Sequence, residues 1–327
     1  MISNMKHVKD IKQKISRIKN LYKLEFSHFI DLPEDLFVHD IDFNDGILYL
    51  SGLDKNNKTT GQIISINLKD NSQKIVVENI KANSNPIRLS MRCIPEKLII
   101  IFSEAESQLS NILKIVNLQN NKCTFFAKDS NHKLLQSLSI KIIGDFVFAV
   151  DFLGHNIIKY SLDGKLLNIK QFSNYGLEFP LQVEVCDKSN IYIFFNQDSG
   201  NLSFKKFSSI NSLNQSFFIK WNHVKDEISF LTPNDISQDK FVMSFIRTQH
   251  NDFFLIKEDV LFKYDALLNK VFEINIGEFF IKKLNIALSY FQVNRTHRKF
   301  ICTCSDSNLF ITSTTTGFLR KIAVFNI

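Results

Sequence analysis

The stretch Phe146-Val-Phe-Ala-Val-Asp151-Phe-Leu-Gly154-His155-Asn156-Ile-Ile-Lys-Tyr160-Ser-Leu-Asp163-Gly164-Lys165 decides the fold. It opens with a very apolar strand, breaks at Asp151 to Asn156, resumes as a second strand, and turns again at Asp163-Gly164, a strong hairpin signal. Extending outward, Leu135 to Ile143 reads as a strand ahead of it and Lys165 to Phe172 as an outer strand behind it. The unit is therefore strand, short turn, very apolar strand, turn, strand ending in Asn or Asp, turn, outer strand.

That unit recurs. Second strands are expected to begin near Ile47, Leu98, Phe146, Ile191, Phe253 and Phe300, about 51 residues apart, with one interval stretched to 62 by an insertion between Asn222 and Lys240. Within the insertion, Glu227 to Pro233 reads either as an extra strand or as the start of a displaced blade. Six copies at about 48 residues each have the size of four-stranded propeller blades. The expectation is an all-β, six-bladed β-propeller over residues 25–327. Its blades fall roughly at 37–80, 86–128, 134–172, 181–222, 240–277 and 285–327. Leu24 to Ile30 is strand-like and is placed as the outer strand of the last blade, a closure that removes a large exposed edge.

The opening stretch resembles an NHL-type repeat: a hydrophobic strand, Asp151, a Gly-x-Asn-like turn at Gly154 to Asn156, a second strand and the Asp163-Gly164 hairpin. About 25 residues carry that resemblance; the other copies share its period. Asp54-Lys-Asn-Asn-Lys58 replaces the turn in the first copy, while Asp198-Ser-Gly200-Asn201 remains in the fourth. The resemblance implies the fold. It leaves function open, because propellers of this type include RNA binders, partner scaffolds, lyases and lactonases.

Composition agrees with a strand-rich globular chain. Of the 327 residues 44% are hydrophobic and 22% charged, and no apolar run approaches the roughly 18 residues of a membrane-spanning helix. Gly occurs 10 times and Pro 5, against 32 asparagines, so the turns rest largely on Asn, Asp and Ser, with Asn supplying the left-handed conformations. The formal charge of +7 is concentrated: residues 1–24 hold seven Lys and Arg against Asp10, leaving the body nearly neutral. Nucleic-acid binding is therefore expected only through this tail. Met5, Val8, Ile11, Ile15, Ile18 and Tyr22 recur at helical spacing, which predicts a basic amphipathic helix over 5–24. Its stripe, with Val8, Ile11, Ile15 and Ile18 as candidate contacts, suits docking on the propeller, a partner chain, or peripheral contact with an anionic membrane. No apolar stretch of a secretory leader follows the charges, so a cytoplasmic chain is expected.

If the first strand of each copy lines the channel, Asp40 and Asp42, then Arg88, Ser90 and Arg92, then Ser137, Ser139 and Lys141, then Gln182 and Glu184 face it. Asp40, Asp42, Arg88, Arg92, Lys141 and Glu184 are the candidate ligand-binding set, either orienting an anionic group or pairing among themselves. Cys93, Cys123, Cys186, Cys302 and Cys304 form no metal-type spacing and are read as free thiols. The eight histidines form no ligand pair; neither a Gly-x-Ser-x-Gly elbow nor a phosphate-cradling Gly loop is present. No metal, cofactor or catalytic residue is expected. The reading favoured by the sequence is a non-catalytic scaffold for a protein or peptide; the alternatives are a hydrolase or lyase at the channel mouth, and NHL-like RNA binding.

Overall fold

The computed structural model describes residues 24–327, apart from 128–133, 197–215, 232–241, 286–299, 314–319 and the turn positions 35, 55–56, 58, 84–85, 95–96, 108–109, 121, 136, 249 and 258. The expected helix over 5–24, with its candidate contacts Val8, Ile11, Ile15 and Ile18, lies outside the described residues save for Leu24. Six antiparallel sheets follow one another around a ring, which makes the chain an all-β, six-bladed propeller. The inner strands are Leu36–Asn44, Leu89–Ile94, Ser137–Ile143, Pro180–Val185, Val242–Arg247 and Phe300–Cys304. Each pairs with a second strand, then a third, then an outer one. The last sheet is composite: Glu25–Asp31 pairs with Lys321–Asn326 as its outer strand, so the ring is closed by hydrogen bonds between the two ends of the chain.

The very apolar second strands are explained by the packing. Each is sandwiched between two neighbouring blades, and its alternate residues enter different cores. Ile99 and Ile101 pack with blade three, Ile100 and Phe102 with blade one; Val147 and Ala149 pack with blade two, Phe148 and Val150 with blade four. The described core thus divides into six clusters, one at each blade junction. Burial of each large side chain stabilises the ring by about 1.5–3 kcal/mol.

Turns at one end of the channel, joining first to second and third to outer strands, form what we term the turn face. Side-chain oxygens hold them. Asn67 accepts from Lys69 N–H, Asn117 from Gln119, Asn222 from Val224 and Lys225, and Asp265 from Leu267 and Asn269. Asp45, Asn71, Asp226 and Asn251 occupy the left-handed region there, as the scarcity of glycine requires. Asp45, Asp145, Asp187, Asp252 and Asp306 stand in the inner row of turns, and Asp70, Asp163, Asp226 and Asp265 in the outer row.

Four details differ from the sequence expectation. Phe300 opens the inner strand of blade six and not its second strand, which is Asn308–Ser313; a Cys-rich strand buried on both sides looks like a second strand from hydropathy alone. The expected strand Leu135 to Ile143 is divided. Leu134–Leu135 joins blade two opposite Asn111 and Ser110, while the backbone N–H groups of Leu135 and Ser137 are bound by Asp151 and Asn111 side chains as the chain crosses. Glu227–Phe230 is the outer strand of blade four. Finally, Ile276–Leu284 is a helix, capped by Asn275 accepting from Glu278 N–H and ended by left-handed Asn285. It packs Ile276 and Phe280 into the junction of blades five and six.

Candidate functional site: the central channel

An inner strand has one sheet partner, so its channel-side backbone groups need others. Side chains from the preceding blade supply them. The Leu89 N–H donates to Asp40 Oδ2 at 3.1 Å and the Met91 N–H to Asp42 Oδ2 at 3.0 Å, joining blade two to blade one. Ser90 Oγ accepts from Ile142 N–H, Ser139 Oγ from Val183 N–H, and Ser244 Oγ from Cys302 N–H. At the junction of blades four and five Gln182 makes both bonds, accepting from Phe245 N–H at 3.0 Å and donating to Phe245 O at 2.7 Å. Five of the six junctions are clipped in this way. At the sixth, between blades six and one, Phe43 stacks on Phe310 with ring centroids 5.7 Å apart.

Ionisable groups fill what the clips leave. Lys141 Nζ lies 3.4 Å from Glu184 Oε2 and 3.8 Å from Asp42 Oδ1, so one ammonium serves carboxylates from blades one and four. Arg88, half-buried just ahead of its strand, donates from Nη1 to the carbonyl of His39 at 2.7 Å, and the His39 ring accepts from Ile87 N–H. Burial raises the pKa of Asp40 against the opposing pull of Arg88, and burial likewise raises Glu184 against Lys141. Lys141 is desolvated as well, yet Asp42, Glu184 and Asp40 together raise its pKa, so it stays charged. Burial pushes the thiols of Cys302 and Cys304 up to about 12, which keeps them protonated.

Of the six candidate residues, Asp40, Asp42, Lys141 and Glu184 face one another in the channel, and Arg88 sits at its rim with His39. Arg92 is on the inner strand opposite Ile99; its side chain lies outside the described residues. Blades five and six contribute Ser244, Cys302 and Cys304; the sequence reading took the two cysteines only as free thiols and did not single out Ser244. The alternation Ser244-Phe-Ile246 and Cys302-Thr-Cys304 was the available signal. Chemically, the described residues of the channel offer two cations, Arg88 and Lys141, and three carboxylates, Asp40, Asp42 and Glu184, engaged with each other or with backbone. Among the described residues no group of three His, Cys, Asp or Glu side chains is arranged to hold a metal ion.

No protein-family model matches the chain, and no curated protein matches its sequence. Solved structures do resemble it. Virginiamycin B lyase from Staphylococcus aureus, in an inactive variant with quinupristin, shares 12% identity at a TM-score of 0.56, covering 93% of this chain and 99% of that one. A gluconolactonase from Xanthomonas campestris shares 9% identity at a TM-score of 0.55, with 93% and 94% covered. A chain of a nidogen/laminin complex shares 11% identity at 0.53, with 78% and 83% covered. At such identities the likeness establishes the six-bladed fold alone.

Proposed function

We propose that this chain is a non-catalytic, NHL-like propeller that binds a protein or peptide on its outer surface. The observation that carries the reading is the engagement of the channel's ionisable groups. Asp40 and Asp42 accept inter-blade N–H bonds, Arg88 holds His39, and Lys141 lies between Asp42 and Glu184. A general acid or base must be free to exchange its proton with a substrate, and these groups are committed to joining blades. The fold itself serves lyase, lactonase and protein-complex structures alike, so it does not choose among them. Recognition then falls to the surface, where the turn face exposes Val224 and Leu267.

Capture from a cell lysate followed by mass spectrometry tests this. We expect the wild-type chain and a Lys141→Met/Glu184→Gln channel variant to retain the same partner, and a Val224→Asp/Leu267→Asp variant to lose it. A partner or a turnover activity abolished by the channel variant alone would overturn the reading.

A further inference from the structure

We propose that the basic segment 5–23 docks within its own chain across the turn face of blades six, five and four, so that a partner must displace it. The inference rests on the partner-binding reading and adds the face that is used and its control. Three observations converge on it. The first is the point of entry. Glu25 pairs with Asn326, and the neighbouring Ile327 N–H donates to Ser307 O in the inner turn of blade six. The segment therefore joins the propeller at the turn face.

Second, apolar side chains are presented on that face in the next two blades. Leu267 is 82% exposed, Val224 67% and Val185 36%. Asp265 and Asn222 fix the two outer turns by accepting from the N–H groups of Leu267 and Val224, so the exposed side chains ride on ordered turns. The apolar positions Val8, Ile11, Ile15 and Ile18 would cover them. Nineteen residues at helical spacing extend about 28 Å, enough to leave blade six and cross its neighbours.

Third, charge is complementary. The described turns of this face hold nine aspartates against four lysines, Lys69, Lys165, Lys188 and Lys225. Two of the aspartates, Asp226 and Asp252, hold Lys170 and Lys263, while Asp70, Asp163, Asp187 and Asp265 accept hydrogen bonds from their own turns and keep their negative charge, so the face stays acidic towards the segment's seven cations. A second copy or an anionic membrane could meet the same cations, but neither is tethered at this face; the tether gives the chain's own segment a high effective concentration.

Zero-length carbodiimide cross-linking of the full chain, with peptide mapping, tests the proposal without a partner. Expected are intramolecular links from Lys9, Lys12, Lys14 or Lys19 to Asp187, Asp265 or Asp306. Their yield should fall about fivefold in about 0.5 M salt, where the screening length is a few ångströms, and similarly in a Val224→Lys/Leu267→Lys variant. Links confined to the dimer band, meaning a second copy, would overturn the proposal. So would absence of links to this face, whether or not the chain sediments with phosphatidylserine vesicles. Because partner capture is scored separately, either failure leaves the scaffold reading intact.

Discussion

Replacing Lys141 by Met removes the one ammonium between Glu184 and Asp42 while keeping the side chain's length. The Glu184 side chain is 6% exposed and that of Asp42 13%, so water cannot readily substitute for the lost cation. Leaving one partner of a buried pair uncompensated costs about 3–5 kcal/mol. At about 2 °C per kcal/mol for a chain of this size, the melting temperature should fall by about 6–10 °C near pH 7.5. The pH dependence has a definite sign. Glu184 already has a raised pKa, and loss of Lys141 raises it further. A carboxyl with a raised folded pKa is protonated more readily in the folded state, so the variant regains stability as the pH falls through that raised value towards 4.5. The deficit should thus be greatest at pH 7–8 and shrink towards pH 5. Urea melts of wild type, Lys141→Met, Glu184→Gln and the double variant form the assay, with an expected coupling of about 1–3 kcal/mol. A Lys141→Met variant within about 0.5 kcal/mol of wild type, with no pH dependence, would refute the view of the channel as a desolvated and internally paired site.

Other outcomes follow from the same geometry. Gln182→Leu strips both bonds from Phe245 and should cost about 2–3 kcal/mol in urea melts; a loss no larger than for an exposed Gln would count against the clips. Gly52→Ala places a Cβ 2.1 Å from Phe37 O, so blade one must shift, and a thermal melt should show a drop far larger than for Gly46→Ala, where the Cβ meets nothing. His223, desolvated and 3.0 Å from Lys159 Nζ, has a lowered pKa. Its contribution is therefore fully present above 6.5 and lost as the pH falls through the depressed folded value; an imidazole titrating by NMR at or above 6.5 would contradict the geometry. Cys302, with its thiol pushed up to about 12, should resist alkylation at pH 7.5 until the chain unfolds, while exposed Cys123 reacts in the native state.

The repeat was legible in the sequence because each second strand is buried on both sides, and a run such as Leu98 to Phe102 has no alternative in a chain of short strands. The same cue misled at Phe300, since an inner strand with cysteines at its channel positions carries no polar mark to set it apart. The helix at Ile276 was signalled by Asn275-Ile-Gly-Glu278, a cap followed by a charged third residue, but the strand period on either side masked it. A finer signature was also present. Ile66-Asn67-Leu68, Val116-Asn117-Leu118 and Tyr160-Ser161-Leu162 each set a buried residue, a polar turn former and a partly buried leucine at the end of a third strand. Trp221-Asn222 and Tyr264-Asp265 repeat the first two positions, which places Trp221 in the core, its indole N–H donating to Asp226.

The channel was harder to read, and the reason is physical. Polar residues alternating along an inner strand signal a wet or ligand-bearing surface only if their hydrogen-bonding capacity is left over after the fold has used it. Asp40, Ser90, Ser139, Gln182 and Ser244 occupy equivalent places, and each accepts the N–H of the next blade's inner strand. Their variety is what the shared task allows, since any short acceptor can cap one N–H. A catalytic constellation would instead demand particular residue types at particular positions. The substitution pattern this implies is testable: Ser139→Asn should keep an acceptor and be tolerated, whereas Ser139→Val should leave Val183 N–H without its partner and cost about 1–3 kcal/mol. Equal stability of the two variants would mean that the N–H is satisfied otherwise, and the polar character of the inner strands would again call for a ligand.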